Sequence, residues 1–139
     1  MMQSRPDYRG GPSRYEAAGP YDPQRDRLKK ILDGDTRELI RYAEEKAKYL
    51  ASGSESERLS TSQIRNVLDE LQRMRKYDES RLQLLRPRLA YAAGRHKGRV
   101  LDLQSIMDAA IEMTNATNFP QFRNLVEAIV AYHRRYGGK

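Results

Sequence analysis

The chain has 139 residues, no cysteine and a formal net charge of +7, with 26 lysines and arginines against 19 aspartates and glutamates. This length suits a single domain, and the lack of cysteine excludes disulfides and thiolate metal sites and fits the cytoplasm. No apolar run approaches the roughly 18 residues of a membrane span, and residues 1–11 contain no stretch resembling a signal peptide. We therefore expect a cytoplasmic protein that does not enter a membrane.

Residues 1–25 differ in composition from the rest of the chain. They contain four of the six prolines, three glycines and almost no aliphatic side chains. Such a segment cannot bury enough apolar surface to offset the entropy lost on ordering. We predict a disordered tail over residues 1–25 and a helical domain over 26–139. The tail alternates tyrosines with arginines, which could stack on single-stranded RNA, although a simple flexible tail is the favoured interpretation.

From residue 26 onward the apolar residues recur with a period near 3.6, and no stretch alternates as a β-strand would. Polar residues that can cap a helix, or a proline suited to a first turn, mark the predicted helix starts. The first helix is expected around Asp26–Leu32, and the later starts lie at Asp35, Ser60, Asp78, Asp102 and Pro120. Gln63 completes a capping box with Ser60, and Pro87 is expected to kink or divide the fourth helix. The pattern predicts an all-α fold, a compact bundle of five to six helices.

Each predicted helix has an apolar stripe that we expect to form the core. The stripes comprise Leu28, Ile31 and Leu32; Leu39, Ala43, Ala47 and Leu50; Ile64, Val67, Leu68, Leu71 and Met74; Leu82, Leu85, Leu89 and Ala92; Leu103, Ile106, Met107, Ala110, Ile111 and Thr114; and Phe122, Leu125, Val126, Ile129 and Val130.

The positive charge is concentrated in the middle of the chain. Residues 73–99 carry nine lysines and arginines against only Asp78 and Glu79, a surplus equal to that of the whole protein. A face that serves only solubility usually mixes both signs of charge. A concentrated basic segment is instead typical of a protein that binds nucleic acid.

Three arginines in this segment recur every seven residues, at Arg81, Arg88 and Arg95. On a helix they lie along one edge of the leucine stripe and span about 21 Å. Guanidinium groups bind phosphate oxygens in a bidentate manner, so the row favours phosphate contacts, and Arg99 in the following loop is placed to extend it. One alternative stays open, because residues 100–131 are acidic and their carboxylates could pair with these arginines.

The sequence contains little that could support catalysis. His96 and His133 are far apart and belong to no metal-binding motif such as H-E-x-x-H. Adjacent acidic pairs such as Glu44–Glu45 and Asp69–Glu70 are typical of solvated helix faces. We predict no enzymatic activity, no cofactor and no metal.

Three segments resemble a known family. They are Gln63-Ile64-Arg65, the block from Leu84 to Arg95 with its central Arg-Pro-Arg and its Gly-Arg ending, and the block from Phe122 to His133. Together they resemble the Csm small subunit of type III-A CRISPR effector complexes, over roughly residues 60–136.

The resemblance implies a helical bundle that stacks in several copies beside a filament of backbone subunits and lines the groove where guide RNA pairs with target RNA. It also implies that cleavage of target RNA belongs to the backbone subunits, while DNA cleavage and cyclic oligoadenylate synthesis belong to a large polymerase-like subunit. Within the segments that resemble the family, the arginines to which its RNA-binding role is transferred are Arg65, Arg88 and Arg95.

We therefore expect a non-catalytic small subunit that binds the backbone of the guide and target RNA. Its partners would be both RNAs, the backbone subunits, the large subunit and other copies of itself. The candidate RNA-binding residues are Arg65, Arg81, Arg88, Arg95, Lys97 and Arg99. Two alternatives stay open: a stand-alone helical nucleic-acid-binding protein such as a DNA regulator, and a basic adaptor that docks an acidic protein.

Overall fold

The structure is a computed structural model that describes residues 22–137, and within this range the chain forms six helices. They are α1 (Pro23–Leu32), α2 (Thr36–Leu50), α3 (Thr61–Arg73), α4 (Glu79–His96), α5 (Arg99–Glu112) and α6 (Phe119–Arg135). The predicted all-α bundle is confirmed. The tail prediction falls mainly on residues 1–21, which lie outside the described part. None of the six helices is long and apolar enough to cross a membrane.

Most of the helix starts follow local signals in the sequence. The Asp35 carboxylate accepts the Glu38 N–H at 3.0 Å, and Asp78 accepts the Arg81 N–H at 3.1 Å. Ser60 and Gln63 form the predicted capping box, each side chain accepting the other residue's backbone N–H. These caps satisfy backbone donors that have no partner inside the helix.

The first helix, expected around Asp26–Leu32, begins earlier than predicted and ends at Leu32. The helix begins at Pro23, and the Asp22 side chain caps it by accepting the Gln24 N–H at 3.0 Å. Proline has no N–H to lose at the first helical position and its φ is already helical, so Asp-Pro is a strong start signal. The folded part of the chain therefore includes residues 22–25.

The predicted start of α5 at Asp102 is wrong, and here the cause is not local. The helix begins at Arg99, whose N–H donates to the Glu57 carbonyl in the α2–α3 loop at 2.7 Å. Gly98 allows this approach, because a Cβ at that position would lie 2.7 Å from the same oxygen. A loop far away in sequence thus supplies the cap, and Asp102 instead accepts a hydrogen bond from the Tyr49 hydroxyl.

Helix α4 is one helix that runs through Pro87, so of the two outcomes expected there, a kink or a division, the division is not found. Proline removes one hydrogen-bond donor from the interior of a helix. Pro87 is exposed, and on that side water can satisfy the freed carbonyl. The arginine row of the sequence therefore lies on one helix.

Helix α6 lies at the centre of the bundle and packs against α1, α2 and α3, while α4 packs mainly on α5. The apolar stripes predicted from the sequence are buried or packed against the buried core. Several core residues lay outside those stripes: Tyr42, Leu59, Ala93, Val100 and Phe119.

Two contacts set α3 antiparallel to α6. The Arg123 guanidinium at the start of α6 donates to the carbonyls of Leu71 and Met74 at the end of α3. The His133 ring near the end of α6 lies 2.8 Å from the Leu59 carbonyl, just before α3 begins. Because α3 packs on α6 and α4 on α5, the consecutive helices α3 and α4 make little backbone contact. A cleft therefore opens between them.

Candidate nucleic-acid interface

The three arginines of the heptad row all lie exposed along the edge of α4 that borders the cleft. The adjoining face of the helix buries Leu82, Leu85, Leu89 and Ala93 in the core. This arrangement follows from the sequence, because a seven-residue repeat keeps the arginines on one edge with a drift of only about 20° per step.

Two members of the row, however, share an acidic partner on α3. Arg88 Nη1 lies 3.0 Å from Glu70 Oε2, and Arg81 Nη2 lies 3.6 Å from Glu70 Oε1. Arg73 approaches the same carboxylate at 3.1 Å. Glu70 therefore sits among three guanidinium groups, and the alternative left open by the sequence, pairing with an acid on a neighbouring helix, describes Arg81 and Arg88. The acid is on α3 and not in residues 100–131.

Glu70 is ionised in this setting. Partial burial alone would raise the pKa of Glu70, but the hydrogen bond from Arg88 and the charges of Arg88, Arg73 and Arg81 outweigh it and hold the pKa below its usual range. The charged form is thus the one that the arginines stabilise.

Acids of α5 do pair with one arginine of the basic segment. Arg86 Nε donates to Asp108 at 3.2 Å, and its Nη2 lies 3.9 Å from Glu112. Arg86 is on the side of α4 that faces α5, away from the row, so this pairing ties α4 to α5 and leaves the row unaffected.

Arg95 and Lys97 are the cations at the end of α4 that have no acidic partner in the described part of the chain. Both are exposed, and no carboxylate among residues 22–137 lies within salt-bridge distance of either side chain. Lys97 has φ 58° and ψ −158°, a backbone conformation that glycine adopts easily and lysine does not. Together with Gly98 it makes the tight turn into α5.

Arg99 is placed differently from the rest of the row. Its guanidinium lies over the Tyr49 ring at 4.2 Å, and it is only partly exposed. Hydrogen bonds from Ser54 and the charge of Arg99 hold the pKa of Glu57 below its usual range. Arg99 thus contacts the α2–α3 loop, and its use as an RNA contact remains a prediction.

Arg65 is exposed on α3. It precedes Glu70 by five residues, which places it about 140° away around the helix. The structure therefore does not bring Arg65 together with the α4 row, and it faces a different flank of α3 from the cleft.

Two features of this interface were missing from the candidate set. One is Arg73, which reaches the row only through the fold. The other is the outward face of α4, where Leu84 is 57% and Tyr91 is 70% exposed. Tyr91 lies three residues after Arg88 and four before Arg95, a spacing that puts it beside both on the helix surface. The sequence feature that could have identified Tyr91 is that it is an aromatic residue outside the apolar stripe of its helix.

The cleft between α3 and α4 has a volume of about 350 Å³. Its floor is apolar, with Leu85, Leu89 and Leu103, while Glu70 and Arg88 lie at its rim. Residues 22–137 contain no group of three or more histidines or carboxylates that could hold a metal ion. What the cleft offers chemically is charge and hydrogen-bond donors at its edge.

The geometry defines a helical-bundle protein with one basic helix edge. Residues 33–139 match the family described as Csm2 Type III-A. A similar protein, "CRISPR system Cms protein Csm2" of Streptococcus thermophilus, is 33% identical over 91 residues, which cover 58% of this chain and 75% of that protein. No solved structure matches. The chain belongs to the Csm2 family and is a small subunit of a type III-A CRISPR complex.

Proposed function

We propose that this small subunit has no catalytic activity and holds the backbone of the paired guide and target RNA along the arginine edge of α4. In this proposal it acts in the cytoplasm, next to the backbone subunits, the large polymerase-like subunit and further copies of itself. Base pairing would select the sequence, while the protein contacts the duplex through its backbone.

The observation that carries the proposal is the row Arg81, Arg88 and Arg95 on one continuous helix. All three side chains are exposed, and Arg95 has no acidic partner among the described residues. Lys97 extends the positive charge past the end of α4, and Arg73 adds to it from α3. Tyr91 beside the row offers an aromatic surface for a base or ribose.

The test is RNA binding by the full chain, measured by fluorescence anisotropy with a labelled RNA duplex at low salt. Arg95→Ala should weaken binding about tenfold, because a charge-assisted contact to phosphate contributes about 1.5 kcal/mol or more. Arg37→Ala is the matched control: Arg37 is exposed on α2 and has no salt bridge among residues 22–137. It should change binding much less.

The outcomes also separate the two alternatives. Equal binding of DNA and RNA duplexes would favour a general nucleic-acid-binding protein. Absence of binding to either, with the fold intact, would contradict the proposal and favour a basic adaptor for an acidic protein. Equal losses for Arg95→Ala and Arg37→Ala would show that net charge, and not the α4 edge, accounts for the affinity.

A further inference from the structure

Three guanidinium groups from two helices converge on one carboxylate at the rim of the cleft. Glu70 Oε2 lies 3.1 Å from Arg73 Nη1 and 3.0 Å from Arg88 Nη1, and Glu70 Oε1 lies 3.6 Å from Arg81 Nη2. Three cations around one anion leave a local positive surplus. Such an arrangement has the charge and donor geometry of an oxyanion site, whose occupant here is a side chain of the chain itself.

The arginines retain unused donors in this arrangement. Each guanidinium has five N–H groups, and Arg88 is 64% exposed although it contacts Glu70. Glu70 is far less accessible, with 23% of its side chain exposed. A second anion would therefore approach from the solvent side, where the arginines are more exposed than Glu70.

We propose that Arg73, Arg81 and Arg88 form a phosphate site that Glu70 occupies in the free protein, and that one phosphate of the bound RNA displaces the Glu70 carboxylate. This inference rests on the proposed function, since it names the anion as an RNA phosphate. It assigns Arg73 and Glu70 to the interface, and it makes Glu70 a competitor that weakens binding to polyanions of low charge density.

Competition, and not orientation of the arginines, is the expected net effect of Glu70. The like charges of a carboxylate and a phosphate a few ångströms apart repel each other strongly at a partly desolvated site. Loss of the ion pair gives the exposed arginines more freedom, but exposed ion pairs order their partners only weakly. Removing the negative charge of Glu70 should therefore tighten RNA binding.

Asp69 provides a matched control on the same helix. It lines the same cleft and carries the same charge, yet it has no salt bridge among the described residues. Glu70→Gln and Asp69→Asn thus change the net charge equally and at neighbouring positions. Only the first removes the anion that the three arginines share.

The experiment measures the affinity of the full chain for a labelled RNA duplex at low salt, with thermal midpoints to check the fold. Glu70→Gln should bind about fivefold more tightly than Asp69→Asn. The gain should disappear when Glu70→Gln is combined with Arg88→Ala, because coupled residues do not contribute additively. An equal effect of Glu70→Gln and Asp69→Asn, or weaker binding by Glu70→Gln, would overturn the inference.

A measurement on the unaltered protein covers the case in which a variant unfolds. Addition of the RNA duplex should shift the NMR signals of the Glu70 carboxyl carbon and of the Arg88 side chain together. RNA that binds without shifting the Glu70 signal would overturn the displacement.

The two proposals fail in different ways. If RNA does not bind the unaltered chain, the proposed function fails and the displacement fails with it. If RNA binds, and Arg95→Ala weakens binding while Glu70→Gln gives no advantage over Asp69→Asn, only the displacement is wrong.

Discussion

Arg88 and Arg95 are one heptad apart on the same helix edge, yet their surroundings differ. Arg88 contacts Glu70 at 3.0 Å, whereas Arg95 has no carboxylate within salt-bridge distance in residues 22–137. An exposed ion pair contributes at most about 1 kcal/mol to stability. Arg95 is therefore the cleaner probe of binding, since its replacement removes no contact that holds α4 to α3.

Lys97 has a backbone conformation that disfavours lysine. At φ 58°, a non-glycine residue stores about 1–3 kcal/mol of strain, against which glycine loses about 0.5–1 kcal/mol of entropy. Lys97→Gly should therefore raise the free energy of unfolding by about 1 kcal/mol, measured by urea denaturation. Because Lys97 is a predicted RNA contact, the same variant should bind RNA slightly less well.

The neighbouring glycine provides the control for this prediction. Gly98→Ala should destabilise the protein, because its Cβ would lie 2.7 Å from the Glu57 carbonyl oxygen. A lower free energy of unfolding for Lys97→Gly than for the unaltered chain would show that the backbone of Lys97 is not strained.

Helix α4 combines a binding edge with a core face, and the two should respond to substitution differently. Leu85 is buried at 3% exposure, so Leu85→Ala should cost about 2–5 kcal/mol of stability through the cavity it leaves. Arg95→Ala should change stability by no more than about 0.5 kcal/mol. Thermal midpoints and RNA affinities of both variants provide the comparison. An Arg95→Ala variant that unfolds while Leu85→Ala remains stable would reverse the assignment of the two faces.

Helix α6 is tied to the α2–α3 loop by His133, whose side chain is fully buried. Nε2 lies 2.8 Å from the Leu59 carbonyl, and Nδ1 has no partner among the described residues. Burial lowers the pKa of His133, and the hydrogen bond to the Leu59 carbonyl opposes this only in part. The folded protein therefore contains neutral His133, with Nε2 donating to that carbonyl.

This gives a defined pH dependence. Below about pH 6.5 the unfolded chain protonates His133 while the folded chain does not, so unfolding takes up a proton. The stabilising contribution of neutral His133 is fully present above that pH. It is lost as the pH falls toward the lowered pKa that His133 has in the folded protein. Urea midpoints should be lower at pH 5.5 than at pH 7.5, and His133→Gln should flatten this difference. A difference of equal size in His133→Gln would contradict the role of His133.

The elements themselves could be predicted wherever their signals are local. Asp35, Ser60 and Asp78 cap the helices that the sequence indicated, because a cap and its N–H partner are two or three residues apart. The start of α5 could not be predicted, since its cap is the Glu57 carbonyl in a distant loop. Helix α4 continues through Pro87, which lies on an exposed side of the helix.

In the whole molecule, the distinction between local signals and contacts distant in sequence also explains which parts of the interface could be predicted. The heptad of Arg81, Arg88 and Arg95 is a property of one helix, so sequence spacing alone placed the three on one edge. The pairing with Glu70 and the approach of Arg73 depend on how α3 and α4 lie in the bundle. The spacing of residues in the sequence does not determine how α3 and α4 are placed relative to each other. That placement follows from the packing of α3 on α6 and of α4 on α5.

The charge distribution of the whole chain also fits one binding edge. Of the nine basic residues between positions 73 and 99, Arg86 is paired to α5, and Arg99 lies over Tyr49. Arg75 and Lys76 lie exposed between α3 and α4. The other five, Arg73, Arg81, Arg88, Arg95 and Lys97, lie on or beside the edge of α4. We therefore expect about three to five phosphate contacts per chain.

The most direct test of the account is the salt dependence of RNA binding. The logarithm of the affinity for an RNA duplex should fall linearly with the logarithm of salt concentration, with a slope of about −2.7 to −4.5 for the unaltered chain. The slope should become shallower by about 2 in the Arg88→Ala/Arg95→Ala double variant, because two phosphate contacts are lost. An affinity independent of salt, or an unchanged slope in the double variant, would contradict RNA binding by the arginine edge of α4.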